Sequence, residues 1–269
     1  AAFVYSMNYS LGFMLVHVLH FTIATKQPAM TASRIAASIS ETQKGKEQNL
    51  DGLADLCVNV FRTQFIAILG NVALSIPTAY AIAWVWLWST GTHLASPDKV
   101  ALLVHDLNPI ESLAIFHAAI AGVCLFLSGL ISGYYDNKCL YNRIPERLQQ
   151  RPFLQKLLGQ DRLSRLSTYI GNNLGALAGN FYFGLMLGSM GTIGFILGLP
   201  LDIRHITFSS AYFSFAVVGS DHQLPLQTIL FSLAGVAAIG MTNLVVSFSL
   251  ALMVALKSRR VRYRQCWPL

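Results

Sequence analysis

Residues 226–256 read LQTILFSLAGVAAIGMTNLVVSFSLALMVAL, an unbroken run with no Asp, Glu, Lys or Arg. As a helix rising about 1.5 Å per residue it is roughly 46 Å long, ample for a hydrocarbon core about 30 Å thick. Four further runs long enough to span precede it, at 3–25, 65–88, 110–134 and 169–199. Hydrophobic residues make up 54% of the 269-residue chain and charged residues only 12%, and the mean hydropathy is +0.52. That balance excludes an ordinary soluble domain. The reading is all-α: one polytopic transmembrane helix bundle over residues 1–269, with about five spans plus interfacial amphipathic helices. Residues 50–62, with spaced Leu and Val, are expected to form one such interfacial helix.

The Lys and Arg residues test this partition. Lys26, Arg34, Lys44, Lys46 and Arg62 lie between the first two runs, and Lys99 alone between the second and third. Lys138, Arg143, Arg147, Arg151, Lys156, Arg162 and Arg165 follow the third run, Arg204 alone the fourth, and Lys257, Arg259, Arg260, Arg262 and Arg264 the fifth. The counts alternate 5, 1, 7, 1 and 5, which accounts for all 19 Lys and Arg residues, and none lies inside a run. Positive loops are retained in the cytoplasm, so 26–64 and 135–168 are expected there, with the chain's start periplasmic and its end cytoplasmic. The same rule explains the net charge of +7 without nucleic acid. Trp84, Trp86 and Trp88 end the second run on the expected outer side, as an interfacial aromatic belt does. A location in the inner (cytoplasmic) membrane is expected, with the lipid bilayer as the first partner.

The chain opens at Ala1 on an apolar run with no basic stretch ahead of it and no cleavage signature, which is not a signal peptide. With the start periplasmic, an odd number of additional upstream spans is expected, most simply one. Cys57, Cys124, Cys139 and Cys266 are scattered with no CxxC pair, so neither a disulfide framework nor a zinc site is expected.

The fourth run is glycine-rich. Gly171, Gly175 and Gly179 repeat every four residues and share one face, as do Gly184 and Gly188. Glycine at that spacing lets a neighbouring backbone approach closely, within the chain or in a homo-oligomer or protein partner. The alternative is a helix that bends or breaks near 188–194, exposing backbone to a substrate path. Asn172, Asn173 and Asn180 lie on this helix and Asn71 on the second run; Asn8 and Asn243 lie on the first and fifth. They either pair between helices or converge on a polar cavity.

His17 and His20 share a face of the first run, and His117 begins the third. A three-histidine metal site is not expected, because the depth mismatch is roughly 10 Å or more. A polar His17–His20 cluster near the inner surface is. No carboxylate is assigned deep in a span: Glu111 stands at an entrance, and Asp136, Asp202 and Asp221 are assigned to loops. Segment 200–225 holds Asp202, Arg204 and His205, followed by Ile206, Phe208, Tyr212, Phe213 and Phe215. So many aromatics imply a periplasmic interfacial segment that lies in the interface or dips back toward the bundle, with Arg204 paired to Asp202 or facing an anionic group at a cavity mouth.

NYSLGF at 8–13, ATKQPAMT at 24–31, LSGLISGYYDNK at 127–138, RIPER at 143–147 and GLPLDIRHIT at 198–207 together resemble a bacterial family of large membrane proteins labelled gonococcal-type site-specific recombinase. The resemblance implies a longer protein with an upstream helical region, and its label implies DNA recombination. A tyrosine recombinase needs a His-x-x-Arg pair, and none of the seven histidines is followed by Arg three residues later; a serine recombinase needs a soluble catalytic fold. Nucleic-acid binding by this segment is therefore not expected. The sequence offers no catalytic residues, no metal and no cofactor. The leading expectation is a non-enzymatic protein that moves or receives a small or lipidic substrate, or scaffolds an envelope assembly. The alternative is a membrane-embedded enzyme.

Overall fold

The computed structural model describes residues 2–19 and 50–258. Among these residues the chain forms nine helices and no strand: α1 (Ala2–Val18), α2 (Leu50–Thr90), α3 (Pro97–Asp106), α4 (Ala114–Tyr141), α5 (Ile144–Gln149), α6 (Pro152–Leu158), α7 (Gln160–Leu197), α8 (Ile206–Gly219) and α9 (Leu226–Ser258). Four are long and apolar enough to cross a membrane: Ile68–Thr90 within α2, then α4, α7 and α9. The protein is a multi-pass helical membrane protein. Of the first run, 3–25, the described part is α1; its remainder, His20 included, lies outside the described residues, as do the tail beyond Ser258 and most of the first basic loop.

Two expectations about helix limits are corrected. Residues 50–62 are not a separate interfacial helix but the first turns of α2. No Gly or Pro falls between Leu53 and Leu69, so nothing interrupts the hydrogen-bonded ladder. The glycine helix does not break at 188–194 either; it runs on to Leu197. It stops because Gly198 takes the left-handed conformation (φ 65°). Gly198 N–H then donates to Phe195 O (3.3 Å) and Leu199 N–H to Gly194 O (2.9 Å), a Schellman cap.

The glycines fix how the bundle packs. α7 lies between α4 and α1; one glycine face meets α4 and the start of α5, and the other meets α1. A Cβ on Gly179 would stand 3.0 Å from Ser132 Cβ and 3.1 Å from Ser128 O of α4, and one on Gly171 2.9 Å from Pro145 Cγ. Gly175 would collide with Asp136 and the Ser132 carbonyl, Gly184 with Ser10, and Gly188 with Ser6. Between Gly179 and Gly184 the glycine stripe moves about 140° around the helix, from the α4 side to the α1 side. Ser10 Oγ completes the second contact by donating to Phe181 O (2.7 Å), and Ser6 Oγ to Leu185 O (3.3 Å). Both glycine faces are thus filled from within the chain.

On its other side α4 receives α9, where Gly122 faces Val246 and the Asn243 carbonyl. α8 packs against α2, α3 and α9. The core is a chain of small-residue contacts around Phe13, Phe183, Leu187 and Ile203, with a second cluster at Leu107, Ile206, Val236 and Ile239.

Candidate functional site

Beyond Gly198 the chain turns back along α7 instead of leaving the bundle. The Leu199 and Leu201 carbonyls lie against Gly194, Ile203 shares a core cluster with Leu187, and the His205 ring is 5.3 Å from that of Phe183. The stretch of α7 from Phe183 to Leu197 is about 21 Å long, so His205 lies deep in the bundle. α8 then climbs out. Ser214 Oγ donates to Ile76 O of α2 (2.8 Å), and beyond the helix the ring of His222 meets Tyr80 OH (2.8 Å) and Trp84. With 14 residues, α8 is about 21 Å long, too short to span. Segment 200–225 thus folds back along the bundle, irregular on the way in and helical on the way out.

Irregular backbone at this depth is tolerated only where protein groups satisfy it. Two side chains from neighbouring helices do so. His117 of α4 meets Pro200 O through Nε2 (2.9 Å), and its own carbonyl accepts Arg204 N–H (3.3 Å). Asn243 of α9, 3% exposed, donates through Nδ2 to Ala118 O (2.8 Å) and Arg204 O (2.9 Å), while its Oδ1 accepts Ile206 N–H (3.1 Å). Asp202 Oδ1 accepts Ile203 N–H (2.8 Å).

Arg204 is buried at 6% exposure and held between two carboxylates. Nη1 donates to Asp202 Oδ2 (2.6 Å) and to Ile203 O (2.9 Å), and Nη2 pairs with Asp106 Oδ1 (2.8 Å). Asp106 ends α3, a helix started by Ser96 and Pro97. The adjoining Leu107 is fully buried, and its carbonyl sits against Gly235 of α9, where no side chain would fit. Of the carboxylates assigned to loops, Asp202 does lie in the irregular segment after α7, and the assignment of Asp136 is corrected. Asp202 and Asp106 flank a buried cation, and Asp136, assigned to a loop, is on α4 and accepts Gly175 N–H of α7 (3.1 Å). Loop assignment from hydropathy stops a helix at its first charges, whereas α4 continues past them to Tyr141.

Asp202 opens onto a cavity of about 270 Å³ lined by Tyr5, Tyr9, Gly188, Gly191 and Tyr212 among others. Its side chain is 49% exposed. The triad sums to one guanidinium and two carboxylates, one negative charge in excess. His205 follows on the buried side, 4% exposed, with its ring against Phe13, Phe183 and Phe208 and its Nδ1 unpartnered.

Asp202, Arg204 and His205 are thus together, while the amides are dispersed. Asn173 meets His17 (3.2 Å), towards the other end of α1 from the cavity; Asn172 is exposed, Asn71 half-buried on α2, and Asn180 buried on α7. Asp106 carries no sequence signal of its own, and Tyr9 and Tyr212 stand out only as members of a motif and of an aromatic run. They become neighbours only when α1, α3 and α8 meet. Among the described residues no group of three or more His, Cys, Asp or Glu is placed to hold a metal ion, and Cys124 and Cys139 are free.

No curated protein and no solved structure matches the chain. The family described as site-specific recombinase matches it over residues 1–269, and the chain belongs to that family.

Proposed function

We propose that this protein moves or receives a small or lipidic substrate at the folded-back segment, with Asp202, Arg204 and Tyr212 at the substrate cavity and His205 and Asn243 holding the segment in place. The carrying observation is irregular backbone at bundle depth beside a polar cavity, with an ion triad centred on the buried Arg204. Non-helical backbone at membrane depth is characteristic of segments that line a path or a binding site. A scaffold held together by packing has no use for one. The charge alternation supports an inner-membrane location with the Trp88 end periplasmic and the basic loops cytoplasmic, so the cavity opens toward the periplasmic half. The basic residues of 138–165 are accounted for by retention in the cytoplasm, and DNA recombination, which the family's description names, is not part of the proposal.

The test is solvent access. In a background with the four native cysteines replaced, Thr192→Cys, exposed in the cavity wall, is expected to react with a water-soluble methanethiosulfonate in membranes. Phe183→Cys, fully buried in the core, is expected not to react. An unreactive Thr192→Cys in folded protein would remove the cavity from the proposal.

A further inference from the structure

We infer that the cavity takes an ammonium group, borne by a small amine or by a lipid head group, with Asp202 as its counter-ion. The inference rests on the substrate reading above and adds the sign and class of the ligand.

Both terminal nitrogens of Arg204 are already engaged by carboxylates of the chain, Nη1 by Asp202 and Nη2 by Asp106. An incoming anion would have to displace one of them and then face the other. The cavity sees the opposite sign. Asp202 accepts one hydrogen bond on each oxygen, from Ile203 N–H on Oδ1 and from Arg204 on Oδ2, and an ionised carboxylate has about four acceptor positions. Roughly two remain, on a side chain that is 49% exposed. An excess negative charge inside a bundle is costly until a cation offsets it.

The other walls suit an ammonium group. Tyr5, Tyr9 and Tyr212 line the space, and tyrosine offers a π face that attracts a cation and a hydroxyl oxygen that accepts from it. Tyr9 is held in place by Tyr5 (6.3 Å between ring centroids) and Phe208 (4.5 Å). Gly188 and Gly191 leave the α7 wall open. A Cβ on Gly191 would meet only Asp202 Oδ1, at 3.8 Å. A volume of about 270 Å³ equals roughly nine waters at ~30 Å³ each, room for an amine of a few heavy atoms or for an ethanolamine head group.

The experiment uses the full-length protein in phosphatidylglycerol nanodiscs with radiolabelled ethanolamine as the probe. Saturable binding is expected, weakened about tenfold or more by Asp202→Asn, which removes the counter-ion. Gly191→Ala is expected to weaken it severalfold, because the new methyl stands before the carboxylate without touching the packing. It keeps the proposal testable if Asp202→Asn fails to fold. Glu111→Gln, exposed at the α4 entrance, is expected to bind as wild type. Competition by phosphatidylethanolamine nanodiscs assigns the ammonium group to a lipid, and absence of competition to a free amine. Binding of glycolate in place of ethanolamine, no ethanolamine binding, or ethanolamine binding unaltered by both cavity variants overturns the inference. If Thr192→Cys is nevertheless solvent-reactive, the substrate reading survives and only the ligand class falls.

Discussion

Replacing Asn243 with Leu removes the side-chain hydrogen bonds by which α9 holds Arg204 and Ile206 of the folded-back segment while keeping side-chain volume close. The three groups it serves are not equal. Ala118 O lies inside α4 and keeps its helical partner, so its loss is small. Arg204 O and Ile206 N–H lie at the junction of irregular segment and α8, and both partnerships run to Asn243. A buried backbone group left unpaired costs about 1–3 kcal/mol, whereas side-chain hydrogen bonds in membranes average about 0.6 kcal/mol because the unfolded state also finds partners. For two stranded groups the expected loss is therefore about 2–4 kcal/mol. The assay is reversible unfolding of the full-length protein in bicelles, titrated with denaturing detergent. Thr242→Ala, which removes only a bond to Ala238 O of the same helix, is the control and is expected within about 0.5 kcal/mol of wild type. If Asn243→Leu is equally silent, Asn243 does not hold the segment.

Gly184→Leu or Gly188→Leu should detach α1 from α7 and abolish stable assembly, whereas Gly12→Leu, with nothing near its missing Cβ, should behave as wild type; protease resistance in membranes distinguishes them. Arg204→Ala leaves Asp202 and Asp106 facing each other without their cation, and is expected to cost about 3–5 kcal/mol in the same unfolding assay. Arg204→Lys should restore only part of this, since one ammonium group cannot present a two-pronged fork to both carboxylates; full rescue would refute the bidentate arrangement. For topology, cysteines placed at Asp98 and Gln223 should be labelled from the periplasm and one at Gln149 should not, and periplasmic labelling at Gln149 would invert the orientation.

Much of the bundle was legible because its determinants are local. Unbroken apolar length announces α4, α7 and α9, and the four-residue spacing of Gly171, Gly175 and Gly179 and of Gly184 and Gly188 announces close packing. Which helix fills each face is a tertiary fact, and no periodicity encodes it. The same limit hid the ion triad. Arg204 and Asp202 are two residues apart and readable together, but Asp106 is nearly a hundred residues away on a helix whose short apolar turn looks like an outer loop. Asn243 stood among several membrane amides of equal standing, and only its position opposite the end of α8 sets it apart. The aromatic run after His205 did signal a segment that is not solvated, since water-exposed loops gain nothing from Phe208, Tyr212 and Phe213.

The seating of α1 on α7 also sets an order of events during synthesis. Ser6 and Ser10 donate to carbonyls 179 and 171 residues further along the chain. At about 5–20 residues per second, the ribosome needs on the order of 10–30 s to make that intervening length. Throughout this interval α1 must reside in the bilayer with its serine hydroxyls turned on themselves or toward other partners, because the glycine groove that receives them does not yet exist. A newborn chain interrupted before residue 188 therefore presents an orphan helix, and it is this exposed intermediate, not the finished bundle, that membrane quality control would meet.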